Sequence, residues 1–273
     1  MAMRPAPIAI LTDFGYRDHY VGVMKGVIAR ISPDTKIIDI THGVPPHCVT
    51  AGALALAQSW RFFPKRTIFL AVVDPGVGTT RLPIAIETTS GARFVGPDNG
   101  LLSLACRQAG IKRAVELRSP RYRLTDVSST FHGRDVFAPA AAHLSRGVAI
   151  SKLGPAVVEI KRLRLPSPQP RGETLRGEII YVDAFGNLVT NIDRPSLARF
   201  QTRFNGRELL VSVEESAAMR IFKTYGDVPS ETPLATFGSF DLLEIAVRDA
   251  SAADHFSRRE GARAFVKPKR RRD

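Results

Sequence analysis

The chain has 273 residues, of which 44% are hydrophobic, and this is enough for one large or two ordinary globular domains with a buried core. It carries 39 Lys and Arg against 26 Asp and Glu, which gives a formal net charge of +13. No basic start precedes an apolar run, and no stretch approaches the roughly 18 apolar residues of a transmembrane helix. We therefore predict a cytoplasmic protein without a membrane partner.

The excess of positive charge would attract phosphates, nucleic acid or anionic lipid if it were concentrated on one face. It is instead divided among three segments at residues 112–123, 161–176 and 267–272, and the last contains no aromatic residue that could stack on a base. We predict solvated surfaces and a frayed basic tail, and we expect no nucleic-acid partner. Weak contact of the tail with RNA is the alternative.

Strand and helix patterns alternate through the first half of the chain. Apolar runs predict strands at residues 7–11, 36–40 and 67–73, and apolar periodicity predicts helices at 20–31 and 49–60. The third strand is apolar throughout, as is typical of a central strand covered on both faces. A further strand pair at 83–87 and 93–95 and helices at 101–109 and 136–145 complete an α/β domain with a mostly parallel sheet.

A proline-rich, charged segment separates this pattern from the rest of the chain. Pro155, Pro166, Pro168 and Pro170 mark a linker, since proline fixes φ and removes a backbone donor. We place the domains at residues 1–168 and 169–273. Beyond the linker, short segments with period-two alternation predict a smaller all-β, barrel-like domain that ends in the basic tail. These segments are residues 178–182, 188–192, 208–213, 234–237 and 243–247.

Polar and glycine-rich signatures stand where the predicted strands should end. They are found at residues 12–15, 74–81, 96–100, 131–135 and 183–187. In an open α/β sheet, ligands bind in the loops that leave the carboxyl ends of the strands. We therefore expect an enzyme with its site among these loops.

Common catalytic motifs are absent from the sequence. It contains no phosphate-binding loop, no Gly-x-Ser-x-Gly elbow and no His-Glu-x-x-His pair, and Gly76-x-Gly78 does not extend to a dinucleotide fingerprint. Cys48 and Cys106 lie at no zinc-ligand spacing and are expected to be reduced thiols. ATPase, serine hydrolase and zinc protease activities are thus disfavoured.

Four side chains in the first domain could carry chemistry. Asp13 follows the first strand, where a carboxylate can accept hydrogen bonds from both hydroxyls of a ribose, or where it can cap a turn. Asp74 could hold the Arg81 guanidinium as a fixed cation that orients a water molecule, and the His132 imidazole could take or relay the proton of that water. A turn former, a surface ion pair and a loop imidazole are equally open interpretations of these three residues.

The second domain offers one tight turn with similar potential. Asp183 could bind an ammonium, Phe185 could stack on a flat heterocycle, and Asn187 could donate to and accept from an adenine edge. The same segment is also a suitable hairpin connector, because Gly186 and Asn187 tolerate positive φ. The residues alone favour the connector.

Together these motifs, from about Ile8 to Val247, resemble the S-adenosylmethionine hydroxide adenosyltransferase family, the water-using relatives of the fluorinase and chlorinase. The resemblance implies an N-terminal α/β domain and a C-terminal β-barrel. It also implies a homotrimer with active sites at subunit interfaces. The implied reaction is hydrolysis of S-adenosylmethionine to adenosine and methionine. S-adenosylmethionine is then a small-molecule substrate, and no cofactor or metal is expected because the sulfonium already carries the positive charge.

The resemblance also assigns residues to roles. The family's Asp-Arg-His set corresponds to Asp74, Arg81 and His132, and its ribose-binding aspartate to Asp13. Asp183 and Ser239 are implied to contact the methionine end, with Asp18 nearby. Phe185 and Asn187 are implied to contact the adenine, and the backbone at Val247 is implied to pass the base edge.

Several departures from the halogenase pattern favour hydroxide over halide as the nucleophile. The halogenases carry a tyrosine where this chain has Asp74 and a serine where it has Gly133, and the segment 88–93 is short where they carry an extra loop. Two other departures concern the methionine end of the site instead: His47 stands in place of a tryptophan, and Phe240 in place of an arginine that the halogenases use against methionine. Two alternatives remain: a halogenase on the same scaffold, and a non-catalytic adenosine or S-adenosylmethionine sensor that contacts RNA through its tail.

Overall fold

The computed structural model describes residues 4–270. The chain divides into two compact units, Met1–Leu163 and Arg164–Asp273. The sequence-based boundary, after residue 168, lies a few residues beyond this division, within the proline-rich segment that opens the second unit. Each unit has its own hydrophobic core.

The first unit is built on a mixed sheet of six strands in the described residues, in the spatial order β2-β1-β3-β5-β4-β6. The strands β2, β1, β3 and β5 run parallel, and β4 runs antiparallel to both β5 and β6. Every residue of β1 and β3 is buried, as the apolar sequence of both strands predicts. The bounds are Ile8–Thr12 (β1), Ile37–Thr41 (β2), Ile68–Val72 (β3), Pro83–Thr88 (β4), Arg93–Pro97 (β5) and Ile111–Glu116 (β6).

Four α-helices accompany this sheet. They are α1 (Tyr20–Ile31), α2 (Val49–Ser59), α3 (Ser103–Ala109) and α4 (Ala138–Ser145), with a π-helical turn at Gly133–Phe137 and 3₁₀ turns at Trp60–Phe62, Pro120–Tyr122 and Ile150–Lys152. Helix α1 packs on α4 and α2 packs on α3. Both cysteines are free thiols. Within residues 4–270, no helix has the length and apolar content needed to cross a membrane.

The order of the strands creates one topological switch point. From β1 the chain first adds β2 on one side and then crosses to add β3 on the other. The crevice beyond the carboxyl ends of β1 and β3 is where ligands bind in sheets of this type. Asp13 directly follows β1, and Asp74 follows β3 with Val73 between them, so both lie at this crevice.

Strand β6 is an element that sequence patterning did not predict. Lys112 and Arg113 were assigned to a basic surface segment, but they belong to the edge strand Ile111–Glu116, whose first half is exposed. The outer side of β6 is bridged by Ala156 at Val115, and the charged residues precede this bridge. Charges on an edge strand oppose edge-to-edge aggregation. The apolar half, Ala114 and Val115, is buried against the core.

The second unit is an antiparallel barrel that is nearly closed, in the order β11-β10-β14-β8-β9-β13-β12 with β7 paired to β8. Ile221, just after β11, forms a bridge with Ala235 of β12 and brings the two edges of the sheet together. This confirms the predicted barrel-like class. The bounds are Gln169–Arg171 (β7), Thr174–Val182 (β8), Leu188–Asp193 (β9), Leu209–Val213 (β10), Met219–Arg220 (β11), Pro233–Phe237 (β12), Leu242–Val247 (β13) and Arg263–Pro268 (β14).

Two short helices in this unit, α5 (Arg194–Thr202) and α6 (Ala252–Phe256), were also missed. Each begins at a capping side chain: Asp193 accepts from the Ser196 N–H at 2.8 Å, and Ser251 accepts from the Asp254 N–H at 3.1 Å.

The predicted frayed tail is wrong for its first residues. Lys267 and Pro268 belong to β14, which pairs with β10 on one side and β8 on the other. Lys269 forms an ion pair with Glu208 at 2.7 Å. The alternation of buried and exposed residues along β14 places Ala264 and Val266 in the core and leaves the basic side chains outside. Residues 271 and 272 of the predicted tail lie outside the described part of the chain.

Candidate active site

A buried ion pair and an imidazole form a cluster beyond the carboxyl end of β3. Arg81 donates from Nε to Asp74 Oδ1 at 2.9 Å and from Nη2 to Asp74 Oδ2, a two-point pairing of guanidinium and carboxylate. The same Nη2 lies 2.8 Å from His132 Nδ1. The Arg81 and Asp74 side chains are only 4% and 7% exposed. The structure thus brings together the three residues that the sequence placed in one set.

The loop between Asp74 and Arg81 is fixed by the neighbouring loops. Gly78 has φ of +78°, and a Cβ there would lie 2.8 Å from the backbone oxygen of Ser129, so glycine is required where this loop crosses the segment that leads to His132. Asn99 donates from Nδ2 to the Val73 carbonyl at 2.8 Å, one residue before Asp74. The signature at 96–100 therefore positions the cluster.

His132 does not follow a strand, contrary to expectation. It lies after a long irregular loop and immediately before the π-helical turn Gly133–Phe137, because the polar segment 124–130 forms no strand. Short π-helical segments occur frequently at functional sites. Phe137 within the turn packs against the imidazole and the Arg81 guanidinium, with distances of 6.5 Å between ring centroids and 5.3 Å from Cζ to the ring.

A buried carboxylate within this turn, which sequence reasoning did not single out, holds the loop in place. Asp135 accepts from Arg134 Nε at 2.5 Å and from the Ser128 N–H at 2.9 Å. Burial alone would raise the pKa of Asp135, but these hydrogen bonds together lower it. The carboxylate therefore stays charged and ties the loop before His132 to the turn after it.

The imidazole of His132 is neutral in this arrangement. Burial lowers the pKa of His132 below its ordinary value, and the charge of Arg81 lowers it further against the opposing effects of Asp74 and Asp135. Arginine can only donate, so Nδ1 must accept and the proton of the neutral ring is on Nε2. The cluster then carries one cation, one anion and a neutral ring.

We predict an acid limb in the activity that lies below pH 6.5. Protonated His132 cannot accept from Arg81, and because its pKa is lowered, the neutral form persists below the pH at which a free histidine protonates. We expect kcat/KM to fall roughly tenfold per pH unit below the folded pKa. Over the same window the unfolded chain binds a proton that the folded ring does not, so stability decreases as the pH falls from 6.5 toward the folded pKa.

The pH–rate profile of the wild type, of His132→Gln and of His143→Gln checks this prediction. His143 has a pKa lowered by burial and by Arg146 and Arg121, but it lies outside the cluster, so its variant should keep the acid limb. His132→Gln should lose the limb and, by disturbing the hydrogen bond that holds Arg81, lower kcat by about 10- to 10²-fold. A limb centred above pH 6.5, or one that survives in His132→Gln, would contradict the assignment.

Asp13 lies on a neighbouring loop in the same unit. Its Oδ2 accepts from the His47 N–H at 2.8 Å, and His47 adopts a positive φ of 64° to make this bond. The next residue, Phe14, contacts Phe131 with ring centroids 6.0 Å apart, and Tyr20 contacts both rings. This aromatic contact, absent from the sequence-based prediction, joins the loop of Asp13 to the loop of His132. Asp18, on the same segment, is exposed to solvent.

A buried histidine behind Asp13 also escaped sequence reasoning. His42 is 1% exposed, its Nδ1 lies 2.7 Å from Thr12 Oγ1, and its Nε2 lies 3.1 Å from Asp39 Oδ1. Its backbone carbonyl accepts from the Gly15 N–H at 2.8 Å. Burial opposes ionisation of Asp39, yet hydrogen bonds from Lys25, Tyr16 and His42 lower its pKa to about 2. The network holds the Thr12–Gly15 loop from both ends.

In the second unit, the turn 183–187 is internally bonded. Asp183 Oδ1 accepts from the backbone N–H groups of Phe185 and Asn187, and Oδ2 accepts from Asn187 Nδ2, each at 2.9 Å. The Phe185 ring is 80% exposed. Gly186 lies against Ser251, since a Cβ there would be 2.2 Å from Ser251 Oγ. The hairpin geometry thus fixes the carboxylate and the amide and presents the aromatic ring outward.

The other predicted positions of this unit lie on the β12–β13 hairpin. Ser239 is exposed in the turn, and Val247 is buried at the end of β13, where its carbonyl accepts from the Ala250 N–H at 3.2 Å. Between them is a buried carboxylate that was not predicted: Glu244 accepts from the Tyr225 hydroxyl at 2.7 Å. Burial raises the pKa of Glu244 and the charge of Asp183 raises it further, against the Tyr225 hydrogen bond.

We predict that Phe185→Ala raises KM by about tenfold with little change in kcat. Stacking of an aromatic side chain on a base is worth about 1–3 kcal/mol. An 80% exposed ring contributes little to the folded core, so the Tm should not change. Phe62→Ala is the matched control because Phe62 is 84% exposed, and its KM should equal that of the wild type. Equal KM values for Phe185→Ala and the wild type would contradict the stacking role.

The fold and the site are those of a two-unit protein in which an α/β unit carries a buried aspartate–arginine–histidine cluster beyond the carboxyl end of β3 and a β-barrel unit follows it. The chain belongs to the SAM hydroxide adenosyltransferase family. The model of the family's N-terminal domain matches residues 8–154, and the model of its C-terminal domain matches residues 177–264.

Relatives with assigned names agree with this membership. The chain is 41% identical to an (R)-S-adenosyl-L-methionine hydrolase of Salinispora tropica over 256 residues, covering 92% of this chain and 94% of the relative. It is 38% identical to the hydrolase of the same name from Thermus thermophilus over 262 residues, covering 93% and 97%. A fluorinase of Nocardia brasiliensis is 27% identical over 288 residues, covering 96% and 92%. The named hydrolases are thus the more similar group.

A solved structure has the same architecture. The crystal structure of an uncharacterized conserved protein from Thermotoga maritima matches with a TM-score of 0.87 and 37% identity, over 95% of this chain and 99% of that protein.

Proposed function

We propose that this protein hydrolyses S-adenosyl-L-methionine to adenosine and L-methionine. The observation that carries the proposal is the buried cluster of Asp74, Arg81 and His132 beside Asp13, in a chain 41% identical to a named hydrolase over 92% of its length. The cluster is suited to holding one water molecule in a fixed orientation.

The reaction is an in-line displacement at the ribose C5′. A water oxygen forms the new bond to C5′ while the bond from C5′ to sulfur breaks, and both electrons of that bond go to sulfur. The sulfonium thereby becomes the neutral thioether of methionine, and the attacking water gives one proton to the Asp74 carboxylate that accepts its hydrogen bond, from which the proton passes to solvent. Because the leaving group needs no protonation, the protein has chiefly to align and desolvate the nucleophile. No cofactor is needed, since the electrophile carries its own positive charge.

The hydrogen-bond pattern assigns a role to each member of the cluster. Nδ1 of His132 already accepts from Arg81, so it can take a proton from water only after that bond breaks. Each Asp74 oxygen accepts one bond from Arg81 and keeps a further acceptor site. We assign Asp74 as the acceptor that orients the water, Arg81 as the fixed cation that lowers the pKa of the water, and His132 as the group that holds Arg81.

Substrate contacts are proposed for both units. Asp13 binds the ribose hydroxyls, with Asp18 on the methionine side. On the second unit, Phe185 stacks on adenine, and Asn187 and the backbone at Val247 meet its edge. Asp183 and Ser239 meet the methionine end, where the charge of Asp183 attracts the ammonium even though its oxygens also hold the turn.

Water rather than halide is the proposed nucleophile on steric grounds as well. A Cβ at Gly133 would lie 3.1 Å from the Phe131 ring and 3.2 Å from the Met24 sulfur. The serine of the halogenases would therefore require both side chains to move. Asp74, in place of their tyrosine, adds a negative charge that repels an incoming anion.

The proposed assembly is a cytoplasmic homotrimer with active sites at subunit interfaces and without membrane or nucleic-acid partners. The family resemblance supports this assembly. Mass measurement by light scattering tests it, and a monomer that retains full activity at nanomolar concentration would exclude sites that need two subunits.

Product analysis in oxygen-18 water tests the activity itself. We expect adenosine and methionine in equal amounts, with the label on the adenosine 5′-oxygen. Parallel reactions with fluoride and chloride should give no 5′-halo-5′-deoxyadenosine. A halogenated product would support the halogenase alternative, and binding of S-adenosylmethionine without turnover would support the sensor.

A further inference from the structure

Two adjoining clefts lie on the first unit, and apart from Arg134 and Asp135, which hold the His132 loop, their lining has no part in the proposed reaction. One has a volume of about 450 Å³ and the other about 370 Å³, and His143 of α4 lines both. The first lies between the end of α1, the loop after Tyr122 and the turn before α4. The second lies between the 3₁₀ turn Pro120–Tyr122 and the chain that follows α4.

Positive side chains dominate the lining of these clefts. The cations are Arg30, Arg123 and Arg134 in the first cleft and Arg121, Arg146 and Lys152 in the second. Against these six, the lining has two carboxylates, Asp126 and Asp135, so the local charge is +4 with neutral histidine. Asp135 is already paired with Arg134. Within residues 4–270, the other five cations form no ion pair with a carboxylate.

This arrangement is electrostatically unfavourable without a counter-charge. A cleft lined by side chains of one sign focuses the electric field and concentrates ions of the opposite sign. Burial lowers the pKa of His143, and the positive charges of Arg146 and Arg121 lower it further. The Tyr122 ring lies 5.0 Å from the imidazole and keeps it in place between the two clefts.

We propose that these clefts bind a small oligophosphate anion that carries about three phosphate groups, with His143 at its middle. A charge of about −4 neutralises the lining, whereas a single phosphate or carboxylate would leave most of it uncompensated. Arginine is the side chain best suited to phosphate oxygens, which it contacts at two points. The volumes lie in the range of small-molecule sites. A free polyphosphate and the triphosphate of a nucleotide share this chemistry. The proposal does not rest on the hydrolase function.

Calorimetric titration of the full-length protein with sodium tripolyphosphate at 0.15 M salt tests the proposal, with ATP and inorganic phosphate as parallel ligands. We expect one saturable site for tripolyphosphate that binds at least tenfold more tightly than inorganic phosphate. ATP binding as tightly as tripolyphosphate would identify a nucleotide as the source. ATP binding much more weakly would identify a free polyphosphate.

Variants locate the site. Arg30→Gln with Lys152→Gln removes one exposed cation from each cleft and should weaken tripolyphosphate binding at least tenfold. Arg107→Gln, with an exposed arginine on α3 outside the clefts, should have no effect. The His143 ring resonance should titrate at higher pH when tripolyphosphate is bound, because a bound anion stabilises the imidazolium.

Three results would overturn the proposal. The first is the absence of saturable binding of tripolyphosphate. The second is an equal loss of affinity in Arg107→Gln, which would indicate only the net charge of the protein. The third is tight binding of an RNA oligonucleotide with none of tripolyphosphate, which would assign these cations to a nucleic-acid surface. Circular dichroism of each variant shows whether it is folded.

Discussion

Arg81→Lys is expected to lower kcat by about 10²- to 10³-fold while the affinity for S-adenosylmethionine changes little. The guanidinium reaches two oxygens of Asp74 and Nδ1 of His132 at once, and a lysine ammonium on a flexible stem cannot reproduce this planar pattern. Loss of one or two hydrogen bonds to charged groups, at about 1.5–3 kcal/mol each, costs about 1.5–6 kcal/mol, and the expected decrease in kcat corresponds to the middle of this interval. Single-turnover kinetics and equilibrium binding separate the two quantities.

Arg93→Lys is the matched control for this variant. Arg93 also pairs with a carboxylate, Glu87 at 3.6 Å, but it does so on β5 outside the site. Its kcat should remain within about twofold of the wild type. Arg81→Met is less informative because it leaves Asp74 buried and unpaired, a change that destabilises proteins by about 3–5 kcal/mol. If Arg81→Lys turns over at the wild-type rate, the cluster does not activate the water.

Asp13→Asn is expected to lower kcat/KM by about 10²-fold, mostly through KM. The carboxylate can accept from two ribose hydroxyls, and hydrogen bonds to a charged acceptor contribute about 1.5–3 kcal/mol each. Asparagine keeps one oxygen, which can still accept from the His47 N–H and preserve the loop. The steady-state parameters measure the effect, and Asp34→Asn, an exposed carboxylate after α1, should behave as the wild type.

Substrate analogues that lack a ribose hydroxyl make this test specific. If Asp13 binds the 2′- and 3′-hydroxyls, then removing a hydroxyl and removing the carboxylate should not be additive in free energy. Full additivity would mean that Asp13 acts only on the loop that His47 closes. The same analogues assayed with Asp18→Asn report on the methionine side, where additivity is expected.

Much of the fold was predictable because local pattern and tertiary environment agree. The apolar runs of β1 and β3 are long enough to indicate central strands, and α1 begins and ends at Tyr20 and Ile31 as its periodicity predicts. Elements at the margins were missed. The edge strand β6 was missed because of the charges of Lys112 and Arg113. The strand β14 was missed because Lys267 and Pro268 were assigned to the basic tail.

The site was predictable as a set of residues but not as a network. Asp74, Arg81 and His132 were grouped because of their chemistry, yet the bond from Arg81 to Nδ1 that decides the tautomer spans 51 residues of sequence. His42 was missed for a similar reason, because nothing in the sequence around a single histidine after β2 indicates that Thr12 and Asp39 will contact its ring. Long-range contacts of this kind depend on topology, which local periodicity does not encode.

The position of β14 affects how the carboxyl terminus can be engineered. Truncation before Lys267 would remove the last rungs of hydrogen bonding with β10 and leave Leu209 and Leu210 of that strand without their β14 partners, so loss of any activity would reflect a damaged barrel. Neutralising Lys269 and Arg270 with glutamine leaves the backbone of that ladder intact.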